Sequence, residues 1–123
     1  MSYQNVWSKT QVIKQFHGIV SGDDFVDSVR SVSGDPRFDN LKAVVNDFSD
    51  VSEMSIDESS LMDATALTVG VSITNPKLKV AFVIPEGKIG QQVKMVLAPQ
   101  VVPSYRHQVF TSLVDALDWI ENA

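Results

Sequence analysis

The chain has 123 residues, 44% of them hydrophobic, a net charge of −5 and no cysteine. That length supports one hydrophobic core rather than two, and an acidic pI near 4.8 argues against a general affinity for nucleic acid, which needs a basic surface. The missing cysteines remove disulfides, thiolate metal sites and thiol nucleophiles together.

No apolar run approaches the roughly 18 residues that a membrane-spanning helix needs; the best, Val80 to Ile84, has the length of a strand. The opening MSYQNVWSKTQ lacks the charged-then-apolar order of an export signal. The expectation is one cytoplasmic domain over residues 1–123.

Tyr3 to Ser8 reads as an edge strand, with Tyr3, Asn5 and Trp7 on one face and Val6 on the other. Gln11 to Val20 fits two periods. Val12, Ile13, Phe16, Ile19 and Val20 satisfy a helix, but Gly18, the β-branched residues and the turn chemistry that follows favour a strand. Ser21 then opens a helix, with Ser21 and Asp24 spaced as in a capping box and Asp23 and Asp24 at the positive end of the dipole. Phe25, Val26, Val29 and Val32 form its apolar stripe, and Gly34 with Asp35-Pro36 ends it. Lys42 to Phe48 is the central strand, followed by a polar loop, SDVSEMS.

Asp57 caps a second helix running to about Ile73, with Met62, Ala66, Val69 and Ile73 as its inner stripe. Its C-terminal half is rich in β-branched residues and holds Gly70, both poor helix formers. Leu78 to Ile84 is a second buried strand. Glu86 to Ala98 is a helix with Ile89, Val93, Val96 and Leu97 inward, and Pro99 and Pro103 bracket a loop. Arg106 to Phe110 is a last strand, and Thr111 or Ser112 caps a final helix carrying Leu113, Val114, Leu117 and Ile120. Strands alternating with helices at this spacing predict an α/β fold, a mostly parallel or mixed sheet of about five strands covered by about four helices.

Several residues carry a resemblance across nearly the whole chain. They are Trp7; Gly18 with Ser21, Asp24 and Phe25; Asp35-Pro36-Arg37-Phe38; the strands VVNDF and AFV; and the terminal VFTSLVDALDWI. In this pattern the chain resembles the SpoIIAA-like superfamily, the STAS fold, and within it the small stand-alone bacterial STAS-like proteins. The resemblance implies a small α/β domain, often a homodimer, with a regulatory or apolar-ligand-binding role and no catalytic signature. Related lipid-carrier folds of the CRAL-TRIO class hold apolar molecules between sheet and helices, an analogy of fold alone. In anti-sigma-factor antagonists a serine in Asp-Ser-Ser-Gly-Leu, at a helix start, is phosphorylated. Here the matching stretch is Asp57-Glu58-Ser59-Ser60-Leu61, which lacks the glycine and follows a loop about two residues longer. Ser59 and Ser60 are therefore the phosphorylation candidates. Free N–H groups at a helix start stabilise a phosphate, but Asp57 and Glu58 already occupy that field and repel it.

Little else points to chemistry. His17 and His107, the two histidines, lie on separate predicted strands, and an acid–base or metal site needs them to converge with carboxylates. Asp47, Asp50, Glu53 and Asp57 at the central strand's exit have cation-binding chemistry, but loop acids more often bond the nearby backbone. No serine-hydrolase, zinc-protease or phosphate-loop motif occurs, so no catalytic residue, metal site or cofactor is assigned, and an unrecognised enzyme using His17 or His107 with a carboxylate stays as an alternative. Trp7, Phe16, Met54, Met62, Met95 and Trp119 are the candidates for an apolar pocket or a dimer face. Met95 and Trp119 fall off the inner stripes of their helices and need a second partner. The expected partners are a second copy of the chain and an apolar small molecule or a regulatory protein.

Overall fold

A computed structural model describes residues 1–98 and 105–122. Its spine is a pair of long parallel strands, β2 (Gln11–Ser21) and β3 (Ala43–Ser55). Flanking them are three shorter strands, β1 (Tyr3–Trp7), β4 (Lys79–Val83) and β5 (Arg106–Phe110), in the spatial order β1-β2-β3-β4-β5. β1 joins β2 antiparallel as a hairpin, and every other pairing is parallel. The sheet is thus mixed, and β3 lies at its centre.

The helices divide unequally between the two faces. One face carries Val12 and Phe16 of β2, Val44 and Phe48 of β3, and Val80, Phe82 and Ile84 from β4 and its end, packed under α1 (Gly22–Ser33), α2 (Glu58–Ser72) and α3 (Lys88–Leu97). Phe16 and Phe48 stack in its middle with ring centroids 4.7 Å apart and planes within 3°. The other face, with Val45, Ala81 and Val83, is covered by α4 (Leu113–Asn122) through Ala116, Leu117, Trp119 and Ile120. A short 3-10 turn, Pro36–Asn40, follows α1 and buries Phe38. The predicted Pro99–Pro103 loop lies outside the described residues.

The residues 49–55, SDVSEMS, are not a loop. They continue β3, paired with the far half of β2 from His17↔Asp50 to Ser21↔Ser55. Between Gln15↔Asp47 and His17↔Asp50, and again between Gly18↔Val51 and Ile19↔Glu53, β3 carries one extra residue, which makes two bulges. Each bulge resets the alternation, so Phe48, Val51 and Met54 all reach the core three residues apart. Gly18, beside the second bulge, has φ +65, the left-handed region that glycine enters at no steric cost. This extension outruns β4, and its free edge is closed by one side chain. Gln92 of α3 accepts the Met54 N–H through Oε1 (3.3 Å) and donates from Nε2 to the Met54 carbonyl (3.5 Å).

Two local expectations also change. Ser21 caps α1 by accepting from the Asp24 N–H at 3.2 Å, but Asp24 does not complete a capping box. Its carboxylate instead accepts from both the N–H and the hydroxyl of Ser2, each at 2.7 Å, tying the start of the chain to α1. α2 is rotated from its expected orientation: Leu61, Ala64, Leu67, Val71 and Ser72 face inward, whereas Met62, Val69 and Ile73 are 67%, 52% and 80% exposed. Both stripes are apolar, so hydrophobicity alone does not set the rotation. Local contacts at the helix start accompany it. Asp57 accepts the Ser60 N–H at 3.0 Å, and Ser60 lies so close to Gly22 that a Cβ there would sit 2.4 Å from its Oγ.

A lysine-bearing cavity between sheet and helices

β2 and β3 carry matching segments, VIKQF (residues 12–16) and VVNDF (residues 44–48). Strand alternation sends the first, third and fifth residues of each to the helix-covered face. Each therefore inserts one polar residue, Lys14 or Asn46, between two apolar neighbours. The register sets Lys14 beside Asn46 and Asn46 beside Phe82, forming one row across three strands.

Over this row the helices leave a cavity of about 90 Å³. Its walls are apolar: Phe25, Val29 and Val32 of α1, Val71 of α2, Leu97 of α3, and Val44, Val80 and Phe82 of the sheet. Lys14, Asn46, Tyr105 and His107 are among the polar residues that line it, and no carboxylate does among the described residues.

Lys14 is the anomaly. It is 7% exposed, and among the described residues no hydrogen-bond acceptor or acid pairs with its ammonium. The nearest favourable group is the Phe16 ring, its centroid 5.7 Å from Nζ. Burial disfavours the charged form and brings Lys14 from its ordinary 10.5 down to about 8. His107 is half-buried and is also lowered, chiefly by burial, against the opposing effect of its bond to the Tyr105 backbone. Its Nδ1 lies 3.1 Å from the Tyr105 carbonyl oxygen, which can only accept, so the neutral ring carries its proton on Nδ1. The ring stacks on Phe82 at 5.8 Å. The Tyr105 hydroxyl is buried with no partner among the described residues, and burial raises its pKa.

None of the apolar candidates from the sequence lines this cavity. Phe16 and Met54 are core residues, 1% and 5% exposed. Trp7 packs at the core's rim beneath the Arg37 guanidinium, 3.9 Å from its ring, which is held in turn by a two-point ion pair to Asp35. Trp119, off its helical stripe, meets its second partner within the chain: Phe110 at 5.7 Å, with Lys79 Nζ and the Arg106 guanidinium also close to its ring. Met62 and Met95 face solvent on α2 and α3. Lys14 and Asn46 went unremarked in the sequence. The signal that marks them is a polar residue at the middle, inward position of an otherwise apolar strand.

The remaining candidates do not form a reaction centre. His17 is exposed on β2, and two strands separate it from His107 on β5. Asp47 accepts from the Ser49 N–H and hydroxyl, while Asp50 and Glu53 are exposed. Among the described residues no three acidic or histidine side chains gather as a metal site would require. Ser59 is exposed and Ser60 half-buried in the first turn of α2, where the side chain and N–H of Ser60 hold the Asp57 carboxyl below the usual range. No helix among the described residues is long and apolar enough to cross a membrane.

A mixed sheet opened by an antiparallel hairpin, with α1, α2 and α3 on one face and α4 on the other, is an architecture that solved structures share. The anti-sigma factor antagonist SpoIIAA in its unphosphorylated form superimposes with a TM-score of 0.60 and 14% identity, over 98% of this chain and 99% of that one. The phosphorylated form of the Bacillus cell fate determinant SpoIIAA gives 0.57 and 12%, over 96% and 98%. An uncharacterized DUF3478 protein with a SpoIIAA-like fold from Shewanella loihica PV-4 gives 0.54 and 16%, over 96% and 91%. The chain therefore has the SpoIIAA-like fold. No protein-family model matches it, and no curated protein matches its sequence.

Proposed function

We propose that the chain is a non-enzymatic binding module of the STAS-like class, which holds a small, largely apolar molecule in the cavity above Lys14 and Asn46. The cavity carries this reading. Apolar walls with a few convergent polar groups are the usual make-up of a ligand site. A volume of about 90 Å³ sets the scale of the ligand, since an engineered cavity of about 150 Å³ takes up benzene. The bound group has only a few non-hydrogen atoms, or is the end of a longer molecule that parts the helices. The exposed stripe of Met62, Val69 and Ile73 on α2 supports the further proposal that the module is a homodimer, acting in the cytoplasm. Native mass spectrometry of the fresh protein, with ligand-observed NMR against small apolar fragments, tests both. A monomer that binds no fragment and carries no co-purified molecule would remove the reading.

A second reading is a regulatory protein switched by serine phosphorylation. Its support is that Ser59 is exposed in the first turn of α2, on a fold shared by both phosphorylation forms of SpoIIAA. Intact-mass analysis of protein from its own cells, across growth conditions, decides it. A phosphoryl increment lost in Ser59→Ala supports the switch, and unmodified mass throughout argues against it.

A further inference from the structure

Resting on the ligand-binding reading above, we infer that the cavity's ligand is a small aliphatic monocarboxylate, its tail among the apolar walls and its carboxylate on Lys14 Nζ. The first argument is charge. Lys14 and His107 are the ionisable cavity residues other than the Tyr105 phenol, so a protonated Lys14 leaves the space with one positive charge and no acid to balance it. The segment 99–104, PQVVPS, contains no acid either. Buried charges in folded proteins are paired, and an ammonium that among the described residues meets only the Phe16 ring is under-satisfied. One anionic oxygen pair answers one ammonium.

The second argument is hydrogen-bond polarity. Lys14 offers only donors. Asn46, its neighbour across the ladder, has an amide that can donate to the second carboxylate oxygen. A neutral alcohol or amide would leave the charge uncompensated. A phosphate dianion would bring twice the charge and a heavy hydration shell to a space walled mainly by Val, Phe and Leu side chains.

The third is size. By comparison with the benzene-binding cavity, where six non-hydrogen atoms occupy about 150 Å³, the present volume suits roughly four, which is acetate, with propanoate at the upper limit.

The test compares propanoate, propanamide and propan-1-ol, titrated into ¹⁵N-labelled full-length protein at neutral pH and followed by amide shifts at Val44, Asn46 and Phe82. Propanoate is expected to bind roughly ten- to hundredfold more tightly than either neutral analogue, the worth of a hydrogen bond to a charged group. Lys14→Met should abolish that preference while giving a native-like spectrum. Lys14→Arg, which keeps the charge, serves as the check should Lys14→Met not fold, and should retain a preference for the acid. If the neutral analogues bind as tightly as propanoate, the cavity is a ligand site but Lys14 is no anion receptor, and this inference alone falls. If none of the three shifts those amides at tens of millimolar, the ligand-binding reading falls with it.

Discussion

Replacing Lys14 by methionine removes an ammonium from a nearly dry site and keeps a flexible apolar stem there. Lys14 sits at about 8 in the fold against its ordinary 10.5. At about 1.4 kcal/mol per tenfold change in protonation equilibrium, the protonated side chain costs the folded state roughly 3 kcal/mol. The sign follows from linkage. Below about 8 both the folded and unfolded chains hold the proton, and the cost is present in full. Between about 8 and 10.5 the unfolded chain keeps a proton that the folded chain has released, so wild-type stability climbs with pH. Above 10.5 both are neutral and the contribution is flat. Lys14→Met should therefore be more stable than wild type at pH 7, by up to roughly 3 kcal/mol, and its advantage should shrink steadily towards pH 10. Urea unfolding of both proteins at pH 7, 8, 9 and 10, followed by tryptophan fluorescence, measures the difference and cancels every titration that the two share. A methionine variant less stable than wild type at pH 7, or a gap that does not change with pH, would refute the argument that Lys14 is buried without a counter-charge.

Two further substitutions probe the frame around the cavity. Asp24→Ala removes the acceptor of both Ser2 bonds and should cost about 1–2 kcal/mol, with faster amide exchange in β1. Because those bonds hold the Asp24 carboxyl below its usual range, their contribution is complete above the ordinary carboxylate pKa and is lost as pH falls through the lowered one, so the mutant and wild-type unfolding curves should converge in acid. Gly90→Ala would place a Cβ 1.7 Å from the Pro85 carbonyl oxygen, forcing the start of α3 away from the end of β4. A loss of about 3 kcal/mol in urea, or failure to fold, is expected, and a neutral result would mean that this turn yields freely.

The order of elements and the sheet's character were readable because each strand is short, apolar and bounded by turn residues. Two errors have a common physical source. β3 looked like a strand followed by a loop because its bulges convert an alternation of two into a spacing of three, as in Phe48, Val51 and Met54. No one-dimensional period reports an extra residue absorbed by pairing. α2 was turned the wrong way because Met62-Ala66-Val69-Ile73 is as apolar as the Leu61-Ala64-Val71 face that packs. The choice between them is accompanied by contacts at Asp57, Ser60 and Gly22, which exist only once α1 and α2 are side by side. The cavity is a different case. Val12-x-Lys14-x-Phe16 and Val44-x-Asn46-x-Phe48 are visible in the sequence, but only the parallel register sets their polar members side by side.

The side-chain amide of Gln92 has a consequence for how the molecule opens. The inner part of β3 has a neighbour strand on each side, so freeing it means breaking two ladders. Its outer part is bonded to β2 on one side and, at Met54, to a single glutamine on the other. The segment is also anchored by Val51 and Met54, each 5% exposed in the core, so opening it means exposing both side chains as well as breaking one ladder. Asp57 and the first turn of α2 follow two residues after that segment ends. Any partner that takes hold of Ser52 to Ser55 by its backbone would thus draw the start of α2 with it. Among the described residues, Gln92 is the side chain that stands between this edge and an added strand.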